Sequence, residues 1–453
     1  RNLIIFMCGE PVEGKEMTST EEKPKLIATI SWILYDFADT AYSMNVVSLY
    51  FSTWLIIELA QSDLWVSLAN SLSMAMVALT MPVLGDWSDR QQKKKMGLFI
   101  FTMICIAGTF LIGVTGKSIQ SLSMLTTVVL ALYVISNYSY QGGLVFYNAL
   151  LPAVSTPKTL GRVSGYGVGI GYLGSAAGLL IGGLYVDGNA FGLTIPGITA
   201  GGRVAAFIPT AFLYLVFALP IFFFVTEPPN MLVRERWHLR ESYKQVWKTL
   251  KATNQYPGLL RFLVAKFLYE DSIQTIIIFM GVYTQAVMGF STAATKTFFI
   301  MVIPAAVVGS AICGILSDHY GPKKTLVGVI AAWIVSLTVV VSSMNITVFW
   351  ISGAIVGVLM GSTWTAARPL LISLVPGQRL GEFFGLYALS GKAAAITGPL
   401  LWSSAVLLFA KYGNIVKYKS AVAVLVVVMA AGLIVLLKVP DLHQQLKWRR
   451  QDN

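Results

Sequence analysis

Twelve apolar runs follow one another along this chain, and together they leave almost nothing over for a water-soluble body. They cover residues 26–57, 64–84, 96–115, 122–150, 160–186 and 204–225, then, after a basic stretch, 259–287, 293–316, 325–342, 347–375, 380–408 and 420–437. A helix needs about 20 apolar residues to cross a bilayer. In lipid every backbone N–H and C=O must be satisfied inside the segment, so such runs fold as helices. A soluble chain of 453 residues would need a charged surface; this one is 56% hydrophobic and 12% charged, so lipid is its main solvent. The fold class is an all-α integral membrane protein of about twelve transmembrane helices. Runs longer than about 25 residues fit tilted helices.

The net charge of +12 does not point to nucleic acid. The basic residues sit in short clusters between apolar runs and form no extended basic face. They fix orientation instead. Arg90, Lys93, Lys94, Lys95, Lys158, Arg162, Lys323, Lys324 and Arg379 fall on one side, joined by Arg234, Arg236, Arg240, Lys244, Lys248 and Lys251 and by Lys447, Arg449 and Arg450. That side is expected to be cytoplasmic, although Lys411, Lys417 and Lys419 fall opposite. The expected divisions are an N-terminal cytoplasmic tail (1–25, with Met7 or Met17 as the true start), a first six-helix half (26–226), a central cytoplasmic loop (227–258), a second half (259–438) and a C-terminal cytoplasmic tail (439–453). The three cysteines have no disulfide or metal spacing.

The halves repeat each other. Gly85-Asp86-Trp87-Ser88-Asp89-Arg90, ending in Lys94-Lys95, is answered by Gly314-Ile315-Leu316-Ser317-Asp318-His319, ending in Lys323-Lys324. Gly161, Gly165, Gly171 and Gly178 in the fifth helix have the spacing of Gly381, Gly385, Gly391 and Gly398 in the eleventh. Two echoes at matching places make two pseudo-symmetric six-helix halves, a parallel repeat used by transporters. The Gly-x-x-x-Asp-Arg stretch is read as a loop that latches one conformation. Gly85 permits close approach, and Asp89 can sit at the N-terminus of a helix of the other half, where the macrodipole favours an anion. Gly85, Asp89, Arg90, Gly314, Asp318, Arg162 and Glu382 form the expected latch set. The second copy, with His319 and Pro322 in place of Arg90 and Lys93, is expected to be the weaker. Ordinary basic loops obeying topology are the plainer alternative.

This stretch resembles the signature of the major facilitator superfamily. Leu34-Tyr35-Asp36-Phe37-Ala38-Asp39-Thr40-Ala41-Tyr42, Phe146-Tyr147-Asn148-Ala149-Leu150-Leu151-Pro152 with Gly161-Arg162-Val163-Ser164-Gly165, Leu268-Tyr269-Glu270-Asp271, and Glu382-Phe383-Phe384-Gly385-Leu386-Tyr387 through Gly398-Pro399 resemble its vacuole-effluxer-like branch, an autophagy-related amino-acid exporter family. The resemblance covers nearly the whole chain. It implies the major facilitator fold and export of amino acids or similar small solutes. Asp39 and Glu270 stand where that family usually has Asn, which adds negative charge.

Charges inside the runs are costly unless paired or hydrated. Asp36 and Asp39 lie three apart on one face of the first helix. Asn137, Gln141 and Asn148 fall on the fourth; Lys266, Glu270 and Gln274, with Asp271, on the seventh; Arg368 on the tenth; Lys392 on the eleventh. In this fold the first, fourth, seventh and tenth helices are expected to line a central cavity. The expected substrate and proton path is therefore Asp36, Asp39, Asn137, Gln141, Glu270, Asp271, Gln274, Arg368 and Lys392. At about 1.5 Å per residue, Lys392, Asp36 and Glu270 all fall near mid-membrane, so Lys392 is expected to meet a carboxylate. Polar contacts holding helices together are the alternative.

Gly116-Lys117-Ser118 has the tail of a phosphate loop, but the residue expected to be its first glycine is Leu111. Gly174, Gly178 and Gly182 suit close helix packing, and Asn345-Ile346-Thr347 is a chance-level glycosylation match. No enzyme, cofactor or metal is expected. The expected partners are a small-molecule substrate, the bilayer and protons, with no nucleic acid, in a monomer of the plasma (inner) membrane. The function implied is secondary active transport by alternating access. A non-transporting receptor or sensor of the same fold, an importer and a lipid transporter stay open.

Overall fold

The computed structural model describes residues 25–189, 194–227, 241, 243–244, 256 and 258–441. The expected tails and most of the central basic stretch, including Arg234, Arg236, Arg240, Lys248, Lys251, Lys447, Arg449 and Arg450, lie outside the described residues. Among the described residues every regular element is helical.

The first half holds α1 (Leu26–Tyr42), α2 (Asp63–Gln91), α3 (Lys94–Ser118), α4 (Leu122–Ala149), α5 (Leu160–Asp187) and α6 (Phe207–Phe224). The second holds α7 (Leu259–Ala286), α8 (Thr292–Tyr320), α9 (Pro322–Ser342), α10 (Ile346–Leu374), α11 (Leu380–Leu408) and α12 (Gly413–Leu437). Past Tyr42, α1 continues to Glu58 through π-helical turns at Ser43–Tyr50 and Trp54–Glu58. Among the described residues ten helices are long and apolar enough to cross a membrane. The two that fall short open the two halves. α1 keeps α-helical geometry for only 17 residues, and α7 carries Arg261, Lys266, Glu270 and Asp271.

The repeat extends to helix ends. Ser62 Oγ accepts the Leu64 N–H at the start of α2 (3.3 Å), and Ser291 Oγ accepts the Ala294 N–H at the start of α8 (3.2 Å). One expectation needs correction: Gly85 to Arg90 do not form a loop. The apolar signal fades at residue 84, but the helix runs on to Gln91, because Asp86, Ser88 and Asp89 bond to helix partners rather than to water. Arg90 Nε donates to Asp86 at 3.0 Å and Ser88 Oγ to the Gly85 carbonyl at 2.8 Å. Gln92, left-handed at φ 54, ends it. The last helix likewise begins seven residues before the apolar run, carrying Lys417 and Lys419.

Inside the first half, α1 packs on α5 and α6, and α4 on α2 and α3; inside the second, α7 packs on α11 and α12, and α10 on α8 and α9. Across the halves, α2 meets α11 and α5 meets α8. Each half has its own core. Trp32, Tyr35, Tyr42, Tyr147 and Tyr214 anchor one; Tyr283, Trp333 and Phe349 anchor the other. Leu72, Phe212, Ile312, Val335 and Val427 are exposed on the outside, an apolar surface that only lipid solvates cheaply.

Candidate functional site

Two junctions of one design join the halves at the basic-loop end. In the first, the Glu382 N–H at the opening of α11 donates to Asp89 Oδ2 (2.9 Å), while Lys94 Nζ lies 2.9 Å from Asp89 Oδ1. In the second, the Gly161 N–H donates to Asp318 Oδ1 (2.6 Å), and Arg162 donates to Asp318 Oδ2 through its backbone N–H (3.1 Å) and Nε (2.8 Å). Both carboxylates therefore satisfy N–H groups at a helix start, where the macrodipole adds to the attraction. The second copy takes three N–H donors from the opposite half, because Arg162 supplies the cation that its own loop lacks. Arg90 pairs with Asp86, and Glu382 is fully buried against Arg379.

The glycine echo has a division of labour. A Cβ on Gly85 would lie 2.1 Å from the Gly381 carbonyl oxygen, and one on Gly161 would lie 2.7 Å from the Gly314 carbonyl oxygen. Gly385 meets Pro82 and Gly165 meets Ser310, so the first two glycines of each set serve the contact between halves. The last two turn inward. Gly171 and Gly178 meet Thr40 and Ala41 of α1; Gly391 and Gly398 meet Lys266 and Thr275 of α7.

Deeper in the bundle, Arg368 Nη1 of α10 lies 3.3 Å from Asp36 Oδ2 of α1, an ion pair between halves with both side chains buried. The guanidinium is flanked by the rings of Trp32 (5.9 Å) and Tyr147 (5.7 Å), which stack on each other at 4.3 Å. Beside it, Ser164 Oγ of α5 donates to the Thr365 carbonyl at 3.0 Å.

The remaining expected path residues do not share one surface. Asp39 turns into its own half, where Tyr214 donates to it at 3.2 Å and Tyr214 itself meets Tyr35 at 3.1 Å. Asn137 donates to Asn70 (3.1 Å) and Ser73 (2.7 Å) of α2, a contact within the half; Gln141, one turn on, is buried. Glu270 pairs with Lys266 on its own helix. Asp271 accepts Thr397 Oγ1 (2.6 Å) and the Gly398 N–H (2.5 Å) of α11. Gln274 is half-buried on α7 and Lys392 half-buried on α11. The expected pairing of Lys392 with a carboxylate is not seen among the described residues: Arg368 takes Asp36 and Lys266 takes Glu270, leaving no carboxylate in ion-pair range.

Sequence reasoning missed the residues that brace the latches. Glu227, just past α6, accepts the Lys94 N–H (3.1 Å) and the Lys95 N–H (2.5 Å) at the start of α3, and Lys95 Nζ donates to the Val225 carbonyl (3.0 Å). Lys323 Nζ does the same to the Leu437 carbonyl (3.1 Å) in the second half. The paired lysines thus cap helix C-termini as well as setting topology. The placement of Glu227 straight after an apolar run was a usable signal. A small cavity between α7, α10 and α11, lined by Tyr269, Glu270, Trp364 and Tyr387 among others, was not predicted. Among the described residues no cluster of His, Cys, Asp or Glu could hold a metal.

Twelve helices in two repeated halves, joined by paired carboxylate latches, define an integral multi-pass membrane transporter of the major facilitator class. The fold matches the Escherichia coli fucose:proton symporter FucP (TM-score 0.69, 12% identity, 91% of this chain and 98% of that one). It also matches a bacterial homologue of the iron transporter ferroportin in an outward-facing state (TM-score 0.66, 15% identity, 91% and 98%). The chain belongs to the family described as vacuole effluxer Atg22 like, whose model matches residues 61–161 and 155–445. It is 28% identical to the uncharacterized MFS-type transporter YxiO of Bacillus subtilis (strain 168), over 91% of this chain and 94% of that protein. It is 23% identical to autophagy-related protein 22-1 of Sclerotinia sclerotiorum over 53% of this chain and 44% of that longer protein. Family and fold are those of transporters rather than enzymes.

Proposed function

We propose that this protein is a secondary transporter that exports an amino acid or similar small zwitterion by alternating access, driven by proton exchange on its buried carboxylates. The observation that carries the reading is the pair of matching latches at one end of the two halves. A rocking motion of one half against the other must break both together, and their repeat-related geometry makes them two faces of one closure. The Asp36–Arg368 pair bridges the same divide deeper in the bundle, so charge at mid-depth and closure at the end are mechanically linked. Buried groups of both signs in one bundle suit a substrate that carries both signs. The vacuole-effluxer description of the family supports export. The basic latch end faces the cytoplasm in this reading, with both termini on that side and the protein acting as a monomer in the plasma membrane.

The test is transport by the reconstituted full chain. Proteoliposomes loaded with a pH-sensitive dye are given radiolabelled amino acids, sugars and nucleosides across an imposed pH gradient. Gradient-dependent movement of an amino acid, with matching proton flux, is expected. Movement of sugars or nucleosides alone would replace the substrate class, and no flux of any solute would overturn transport of these classes.

A further inference from the structure

Lys266 and Glu270 lie one turn apart on α7 and pair with each other in the protein interior. Lys266 is 2% exposed and the Glu270 side chain 16%. The Lys266 ammonium has a second contact: it stands 4.0 Å above the ring of Tyr387 on α11. Space for the pair comes from Gly391, where a Cβ would fall 2.7 Å from Lys266 Nζ and 3.0 Å from Glu270 Oε2. Glu270 opens onto the small cavity whose other walls include Tyr269, Ile273, Trp364, Ala367 and Tyr387. Tyr269 is 1% exposed, and its hydroxyl has no hydrogen-bond partner in the protein. A buried hydroxyl without a partner is costly and calls for one.

Resting on the amino-acid reading above, we propose that this cavity is the recognition subsite and that the substrate's own two charges open the Lys266–Glu270 pair. The substrate ammonium takes Glu270 and its carboxylate takes Lys266, with the Tyr269 hydroxyl donating to the same carboxylate. Each buried ion exchanges one opposite charge for another, so no ion is left alone and the net charge of the pocket rises by nothing. A plain amine or a plain acid fails this exchange. Either one occupies one member of the pair and strands the other, which is the expensive outcome for a buried ion. The pair therefore works as a filter for zwitterions, and the apolar walls of Ile273, Ala367 and Trp364 select a large apolar side chain. Pairing in the empty state also explains how two charges remain stable in the interior when no substrate is present.

The experiment compares L-phenylalanine with phenethylamine and 3-phenylpropionate, which share its ring and lack one charge each. Binding to the purified full chain in detergent is followed by thermal shift over a concentration series. The parent protein should bind phenylalanine about 100-fold more tightly than either single-charge analogue. The Lys266→Gln/Glu270→Gln double variant keeps the net charge and strands no ion, so it should insert and fold. It should bind all three compounds within about threefold of each other. Tyr269→Phe should weaken phenylalanine by about tenfold while keeping the order of the three. A parent that binds phenethylamine as well as phenylalanine, or a double variant that keeps the preference, overturns the proposal. Uptake separates the two levels of the argument. If parent vesicles move phenylalanine and the double variant does so with the same KM and selectivity, the subsite alone falls. If parent vesicles move no amino acid, the transport reading falls and takes the subsite with it.

Discussion

Replacing Asp318 with Asn should release one latch and shift the protein toward the state in which the basic ends of the halves part. In the parent the Asp318 carboxylate holds the Gly161 N–H at 2.6 Å, the Arg162 N–H at 3.1 Å and Arg162 Nε at 2.8 Å. The Arg162 side chain is 45% exposed, so that ion pair is screened and adds at most about 1 kcal/mol. The two backbone bonds to an anion at a helix start contribute more, and the whole junction amounts to about 2–3 kcal/mol. Asn keeps one acceptor but turns an N–H₂ toward donors and removes the charge, so most of that is lost. The closed-to-open ratio should fall by about 30- to 150-fold. Spin labels on exposed Lys158 and Tyr320, in a protein without its native cysteines, read the separation of α5 and α8 at that end. A second, longer distance should become dominant in Asp318→Asn, whereas Arg162→Ala should show only a minor change. An unchanged distance distribution in Asp318→Asn would refute the latch reasoning.

Other outcomes follow from the same geometry. Asp36→Asn or Arg368→Gln alone strands a buried ion and should lower stability by about 3–5 kcal/mol, while the double variant should recover most of the loss, read as melting temperature in detergent. Gln92→Gly relieves a left-handed residue at φ 54 and should raise stability by about 0.5–1 kcal/mol, also read as melting temperature. Reporter fusions after Asn453 and in the stretch between Glu227 and Tyr256 should both report the cytoplasm, and an external signal from either would break the topology.

The number and order of the helices were legible because lipid demands long apolar runs and the basic loops stand out against them. The repeat was legible because Gly85, Asp89, Gly314 and Asp318 are fixed by contact geometry rather than by general hydrophobicity. Helix ends were less so. α2 runs to Gln91 because Asp86 and Ser88 find partners within the helix, which no hydropathy pattern reveals. The partners of the buried charges were least legible. Spacing put Asp36 and Asp39 on one face, yet a 60° offset suffices to send Asp36 to Arg368 and Asp39 to Tyr214. Lys392 sits at the depth expected of it, but depth says nothing about which carboxylate another cation has already taken. Tyr269, Trp364 and Tyr387 carried no signal of their own, since aromatic residues in an apolar run read as ordinary core.

Alternating access is tested most directly by locking the latch and watching flux. Cysteines replacing Lys158 and Tyr320, joined by a short bifunctional thiol reagent with a cleavable disulfide, hold α5 against α8 in reconstituted vesicles. Amino-acid transport should vanish in the cross-linked protein and return on reduction, while substrate binding persists throughout. Transport that continues at the same rate with the cross-link intact would contradict the account, because the halves would then not need to part.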